Sequence, residues 1–182
     1  MARDRRRCGF SLIELLLVTA LVALLVNTGG GMYSLLERQR SYVTVLELRR
    51  MINYARSEAV HRETRVTLCA IASDGRCQRH WSGREIATFV DANRNYQLDP
   101  GEAIRQVYWP DERGKLVWRA ALRRRYLVFN PGGDTAQNGS FILCQKKRGS
   151  PIAQARRGAD VVVVVNRGGR NYVAEPGSRS CA

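Results

Sequence analysis

One segment near the start constrains this chain more than any other: Phe10 to Val26 runs for 17 residues with Glu14 as its only charge. At about 1.5 Å per residue, a helix of that length reaches roughly 25 Å, slightly short of a ~30 Å hydrocarbon core. Asn27 and Thr28 are therefore expected at the far interface. Arg3, Arg5, Arg6 and Arg7 precede the run, so the positive-inside bias holds the N-terminus in the cytoplasm and sends the chain beyond about residue 30 across the membrane. A cleaved secretory signal would need a small-x-small site after the apolar core. Here Val26 is followed by Asn-Thr-Gly-Gly-Gly-Met-Tyr, with no Ala-x-Ala. Cys8 lies before the apolar run, which excludes it as a lipid-carrying cysteine.

The remainder of the 182 residues has room for one modest globular domain. Lys and Arg number 30 against 16 Asp and Glu, a formal +14, and 45% of residues are hydrophobic. The bases are 27 Arg and 3 Lys, a skew that fits phosphate recognition and equally fits nucleotide bias in the source genome. Two histidines, no Cys-x-x-Cys and no His-Glu-x-x-His leave little for a zinc site or a histidine triad. With no nucleophile–base pair and no Gly-rich phosphate loop, the sequence reads as a non-enzyme with no cofactor.

Glu14 needs a reason to be where it is. A carboxylate at a bilayer centre costs on the order of 2.5–3.5 kcal/mol even on the lenient insertion scale, and less near the edge. The residues Gly9-Phe10-Ser11-Leu12-Ile13-Glu14 resemble the class III signal of type IV pilins and type II secretion pseudopilins. That resemblance implies cleavage by a prepilin peptidase between Gly9 and Phe10, N-methylation of Phe10, and a role for Glu14 in meeting the new amine of a neighbouring subunit during assembly. Removing residues 1–9 would leave 26 bases and 15 acids, a formal +11. A buried carboxylate and amine are tolerable only when paired.

Beyond the apolar run, Gly29-Gly30-Gly31 should weaken a continuing helix, at roughly 1 kcal/mol of propensity per glycine. Val45, Leu48, Ile52, Ala55 and Ala59 then follow a +3, +4 spacing that lays one apolar stripe along a helix, ready to pack on a sheet. Short β-type runs follow, at 66–71, 85–90, 103–108, 116–118, 126–129, 141–144, 161–165 and 172–174, most of them separated by Gly, Pro or Asn. The expected fold is α+β and pilin-like, a long N-terminal helix packed on a head of antiparallel sheets. Residues 1–9 are read as the leader, 10–28 as the transmembrane and assembly helix, 29–63 as its amphipathic continuation and 64–182 as a periplasmic head. Trp81-Ser82-Gly83, Thr88 to Asp91, Phe129-Asn130-Pro131-Gly132, Gly139 to Cys144, and Val161 to Val165 followed by Gly169-Arg170 resemble, in that order, the minor pilin and pseudopilin group called GspH/FimT.

Cys69, Cys77, Cys144 and Cys181 are an even set in a head placed outside the cytoplasm, where disulfides are the natural reading. Three pairings exist; the favoured one joins Cys69 to Cys77 and Cys144 to Cys181. Asp91, Asn93, Asn95, Asp99 and Glu102 have the spacing of oxygen ligands in a twelve-residue calcium loop. Tyr96 stands where such loops carry glycine, Arg94 adds positive charge and no helices flank the segment, which favours a turn whose side chains cap backbone amides.

The leading functional reading is an assembly subunit that primes or caps a type IV pilus or a type II secretion pseudopilus. Its expected partners are other minor pilins or pseudopilins and the filament tip, the prepilin peptidase and the inner membrane. It is expected to be single-pass, with a cytoplasmic N-terminus, and then filament-associated. One sequence does not separate the two machineries. The alternative is a minor pilin that binds DNA during uptake, with Arg167 and Arg170 as candidate contacts and basic clusters at 123–125 and 146–148; the bland reading of these arginines is a solvated face.

Overall fold

The computed structural model describes residues 11–110, 114–145, 161–175 and 177, with backbone alone for residues 27–38 and Gln145. The chain divides into two compact units, Met1–Arg40 and Ser41–Ala182. One 50-residue helix, α1 (Leu12–His61), contributes to both. Its backbone stays helical through Gly29–Gly31, where a weak point is expected from propensity. Three unfavourable residues inside so long a helix do not interrupt it, because extending a formed helix is far easier than nucleating one. Among the described residues, no helix is long and apolar enough to cross a membrane. The described side chains of the apolar run end at Val26, so the expected span over 10–28 rests on the sequence.

In the second unit, the stripe Val45, Leu48, Ile52, Ala55 and Ala59 is buried and is joined by Met51. Full burial of each large member contributes roughly 1.5–3 kcal/mol. The helix closes on a Schellman motif: Thr64 N–H donates to Ala59 C=O (3.2 Å) and Glu63 N–H to Val60 C=O (3.4 Å). Glu63 takes the left-handed conformation at φ 51°, where glycine is usual.

The strands form two antiparallel sheets. In the first, β1 (Val66–Ile71) is central, because the run Val-Thr-Leu-Cys-Ala-Ile is buried along nearly its whole length. One edge of β1 pairs with β3 (Ile86–Val90), which pairs onward with β4 (Ile104–Tyr108). The other edge is shared end to end, by β6 (Leu127–Phe129) alongside Val66–Leu68 and by the two-residue β2 (Cys77–Gln78) alongside Ala70 and Ile71. The second sheet runs β5 (Gly114–Ala120), β7 (Gly139–Gln145), β8 (Val161–Val165), β9 (Asn171–Ala174). Its centre is Phe141, with ring centroids 4.8 Å from Trp81 edge-on and 4.3 Å from Trp118. Trp81, Trp118, Phe89, Phe129 and Phe141 share one core with the α1 stripe, which is what fixes the head against the helix. The fold is α+β, a helix packed on antiparallel sheets.

Candidate functional site

Gly9 and Phe10, the expected processing junction, lie outside the described residues. Glu14 sits in the first turn of α1, where its N–H donates to Ser11 C=O at 3.0 Å. Around it Leu12, Ile13, Leu16 and Leu17 are 59–77% exposed. Each such side chain gains about 1.5–3 kcal/mol when fully removed from water. This segment is therefore built to be covered by something apolar.

At the head, the five side chains expected in the acidic loop converge, and their oxygens are engaged by the loop's own donors and by Thr67 of β1. Asp91, buried at 1% exposure, accepts from Asn95 N–H (3.1 Å), Tyr96 N–H (3.1 Å) and the Thr67 hydroxyl (3.1 Å). Asn93 and Asn95 turn their amide oxygens to the N–H groups of Asn95 and Gln97, and their NH2 groups to one oxygen of Asp99, at 2.7 and 2.6 Å. Glu102 closes the ring by accepting from Ala92 N–H (3.0 Å) and Asp99 N–H (3.1 Å). Successive Asx turns of this kind satisfy a loop without an ion. Among the described residues, no group of three or more His, Cys, Asp or Glu is arranged to hold a metal.

Tyr96, standing where such loops carry glycine, nevertheless makes the tight turn. Tyr96 adopts φ 61° and Arg94 φ 64°, so both enter the left-handed region without glycine. Tyr96 is held there by stacking on Tyr126, 4.2 Å between centroids and 7° between planes, and by the Asp91 carboxylate on its N–H. The loop is also docked on the neighbouring hairpin. Leu98 N–H donates to Gly75 C=O at 3.0 Å, and a Cβ on Gly75 (φ 79°) would lie 2.4 Å from Leu98 O. That hairpin is the one closed by the Cys69–Cys77 disulfide, with Cα atoms 5.5 Å apart. Cys144 is also disulfide-bonded; Cys181, its expected partner, lies outside the described residues.

Arg167 and Arg170 are both exposed, on the turn between β8 and β9. Their turn is fixed from beneath: Thr135 N–H donates to Arg167 C=O at 2.8 Å, and Arg170 N–H to the Asn166 side chain at 3.0 Å. The residue that sequence reasoning missed here is Arg56 of α1, whose Nε donates to Gly133 C=O at 2.9 Å. A Cβ on Gly169 would meet Gly133 O at 2.1 Å and Arg56 Nε at 3.1 Å, so two glycine turns close on one arginine. The signal available was the pair Gly132-Gly133 and Gly168-Gly169, each following a strand. Of the other basic clusters, Lys146-Lys147-Arg148 lies outside the described residues, and Arg123 to Arg125 follow β5.

Comparison with known proteins agrees with this architecture. The family profile of Type II transport protein GspH matches residues 44–169, and that of the Prokaryotic N-terminal methylation motif matches residues 4–26. No curated protein matches the chain. Among solved structures, the type IV minor pilin FimU of Pseudomonas aeruginosa is similar in two crystal forms. One has a TM-score of 0.51 at 20% identity, covering 79% of this chain and 94% of that one. The other has a TM-score of 0.47 at 20% identity, with 74% and 91% covered.

Proposed function

Since the chain belongs to the GspH family of type II transport proteins, we propose that it is a minor pilin or pseudopilin, a structural and non-catalytic subunit that primes or caps a type IV pilus or a type II secretion pseudopilus. The observation that carries this reading is the pairing, in one chain, of a methylation motif over 4–26 with a GspH head over 44–169. The exposed apolar face of α1 supports it physically. Before assembly the segment 10–28 would lie in the inner membrane, single-pass, with the N-terminus in the cytoplasm and the head, 64–182, in the periplasm. After assembly the same face would be buried among the helices of neighbouring subunits. The prepilin peptidase would cut between Gly9 and Phe10 and the new amine would be methylated. Glu14 would then pair with the amine of an adjacent subunit, which reconciles a carboxylate with apolar surroundings. Cys181 would pin the chain's end by bonding to Cys144.

The test is mass spectrometry of the membrane-extracted protein, produced alongside its own peptidase. The reading expects a mature chain beginning at methylated Phe10. An intact Met1, or a cut near Gly31, contradicts it.

A second reading, a DNA-contacting minor pilin, is favoured by the exposure of Arg167 and Arg170 on one hydrogen-bonded turn. If both contact phosphates, replacing them with Gln flattens the log–log salt dependence of binding by about 1.5. An unchanged slope removes these residues from any DNA contact.

A further inference from the structure

Each sheet ends in a strand that has one neighbour among the described residues. β4 closes the first sheet against β3, and β9 closes the second against β8. Proteins guard such edges with charge, proline or a bulge, because an open ladder accepts another strand. The only charge in β4 is Arg105, and it is turned to the Glu58 carboxylate of α1 at 3.1 Å. β9 reads Asn-Tyr-Val-Ala, without charge or proline.

The bulge in β4 decides what this edge shows. Thr88 stands opposite Gln106 and Phe89 opposite Ile104, so Arg105 is an extra residue. One inserted residue moves Ile104 to the face that carries Val107. Trp109, two residues past Val107, continues the row. These three side chains are 42–65% exposed, whereas Ala87 and Phe89, beside them on β3, are buried. In β9, Tyr172 and Val173 are 51% and 49% exposed. Adjacent strand residues point to opposite faces, so β9 is open on both.

The occupant that fits an apolar row on a ladder edge is another extended strand, since a bilayer or a helix would leave the ladder groups unpaired. This chain carries both halves of such a pair. Joining β4 to β4 of a second copy, or β9 to β9, creates a two-fold axis normal to the sheet and reverses α1, which lies along it. Joining β4 to β9 creates no such axis. In either register, Tyr172 or Val173 comes onto the face of the Ile104, Val107 and Trp109 row. The two edges also meet α1 on different flanks. Glu58 holds Arg105, whereas Asn53 and Arg49 hold Asn171 of β9 at 2.6 and 2.9 Å, roughly half a helical turn away.

We propose that β4 of one copy takes β9 of a second copy as an added strand, head to tail, with both α1 helices pointing the same way. That both helices enter one membrane rests on the assembly role proposed above; the pairing of the two edges rests on the strands. So short a contact falls well below the ~800 Å2 per partner of a stable interface. It therefore forms where copies are concentrated together, as they are in one membrane.

The test uses full chains in the membranes of cells that also carry the peptidase. Two differently tagged forms are co-expressed, one with Val107→Cys and the other with Tyr172→Cys or Val173→Cys, and oxidised with copper phenanthroline. Facing residues on paired strands lie ~4.5–5.5 Å apart at Cα, within disulfide reach. A product carrying both tags is expected, at least fivefold more abundant from one of the β9 positions than from its neighbour. Trp109→Asp in the Val107→Cys chain should cut the yield at least fivefold, with Trp81 and Trp118 fluorescence reporting that the head is folded. Neither edge presents an unpaired charge on a strongly basic chain, so added salt should raise the yield. No mixed product, equal product from both β9 positions, insensitivity to Trp109→Asp, or a yield that falls with salt overturns the proposal. Val107→Cys homodimers in excess of mixed product overturn it in favour of two-fold pairing, and a product joining Val107→Cys to a different protein overturns it in favour of another subunit. The assembly role fails separately. Mixed product together with normal filament incorporation of Glu14→Ala removes that role and leaves the strand pairing, whereas loss of mixed product with Glu14-dependent incorporation removes the pairing alone.

Discussion

Replacing Asp91 with alanine should destabilise the head by about 3 kcal/mol, and the loss should be indifferent to calcium. The carboxylate is 1% exposed and accepts three hydrogen bonds, from Thr67, Asn95 and Tyr96. Hydrogen bonds to a charged group contribute roughly 1.5–3 kcal/mol, and donors left buried without an acceptor cost about 1–3 kcal/mol each. Two of these donors are partly open to water that can replace the acceptor, so the sum falls toward the lower end. For a unit of this size, ~3 kcal/mol corresponds to a fall in Tm of roughly 6–12 °C. Trp81 and Trp118 lie in the core, so intrinsic fluorescence of the full chain in detergent reports the transition directly. Calcium separates a self-satisfied turn from an ion site. At 1 mM calcium a Kd of ~1 mM adds only about 0.4 kcal/mol, near 1 °C, whereas a Kd of ~10 μM adds about 2.7 kcal/mol, several degrees. A wild-type Tm that climbs several degrees with calcium, or an Asp91→Ala variant that melts within 2 °C of wild type, refutes the reasoning.

Other perturbations test the surrounding structure. Cys69→Ser with Cys77→Ser opens a link of sequence separation 8, which chain entropy values at about 2.5 kcal/mol; the difference in urea midpoint at unchanged slope measures it. Glu63→Gly should stabilise the head by about 1 kcal/mol, because Glu63 occupies φ 51° in the Schellman motif; a lower midpoint contradicts this account of the helix end. Burial raises the Tyr126 hydroxyl above its usual value of 10.0, against the opposing pull of Arg124. Its contribution to stability is therefore complete below pH 10 and declines as pH climbs through 10 toward the raised value, since the unfolded chain ionises first. Melting curves across that range should fall less steeply for Tyr126→Phe than for wild type.

The helix stripe and most strands were legible because each rests on local periodicity. Val45 to Ala59 repeat at the helical spacing and are buried, and the strand runs at 66–71 and 161–165 coincide with β1 and β8. What periodicity cannot carry is partnership. The two-residue β2 has no pattern of its own and exists because the Cys69–Cys77 hairpin folds back on β1. The division into two sheets, with β6 crossing to share an edge of β1 with β2, depends on pairings across dozens of residues. The acidic loop was legible as a cluster, whereas the left-handed Tyr96 was not, because its tolerance comes from Tyr126 thirty residues downstream.

The central claim is that α1 assembles this chain into a filament through an apolar face and one carboxylate. The most direct measurement is the fraction of the protein recovered in sheared filaments, for wild type and Glu14→Ala, in cells carrying the complete machinery. The account predicts that the variant is still processed and membrane-inserted, since it lacks only a charge, but that its share in filaments falls severalfold. Equal incorporation of the two chains would contradict it.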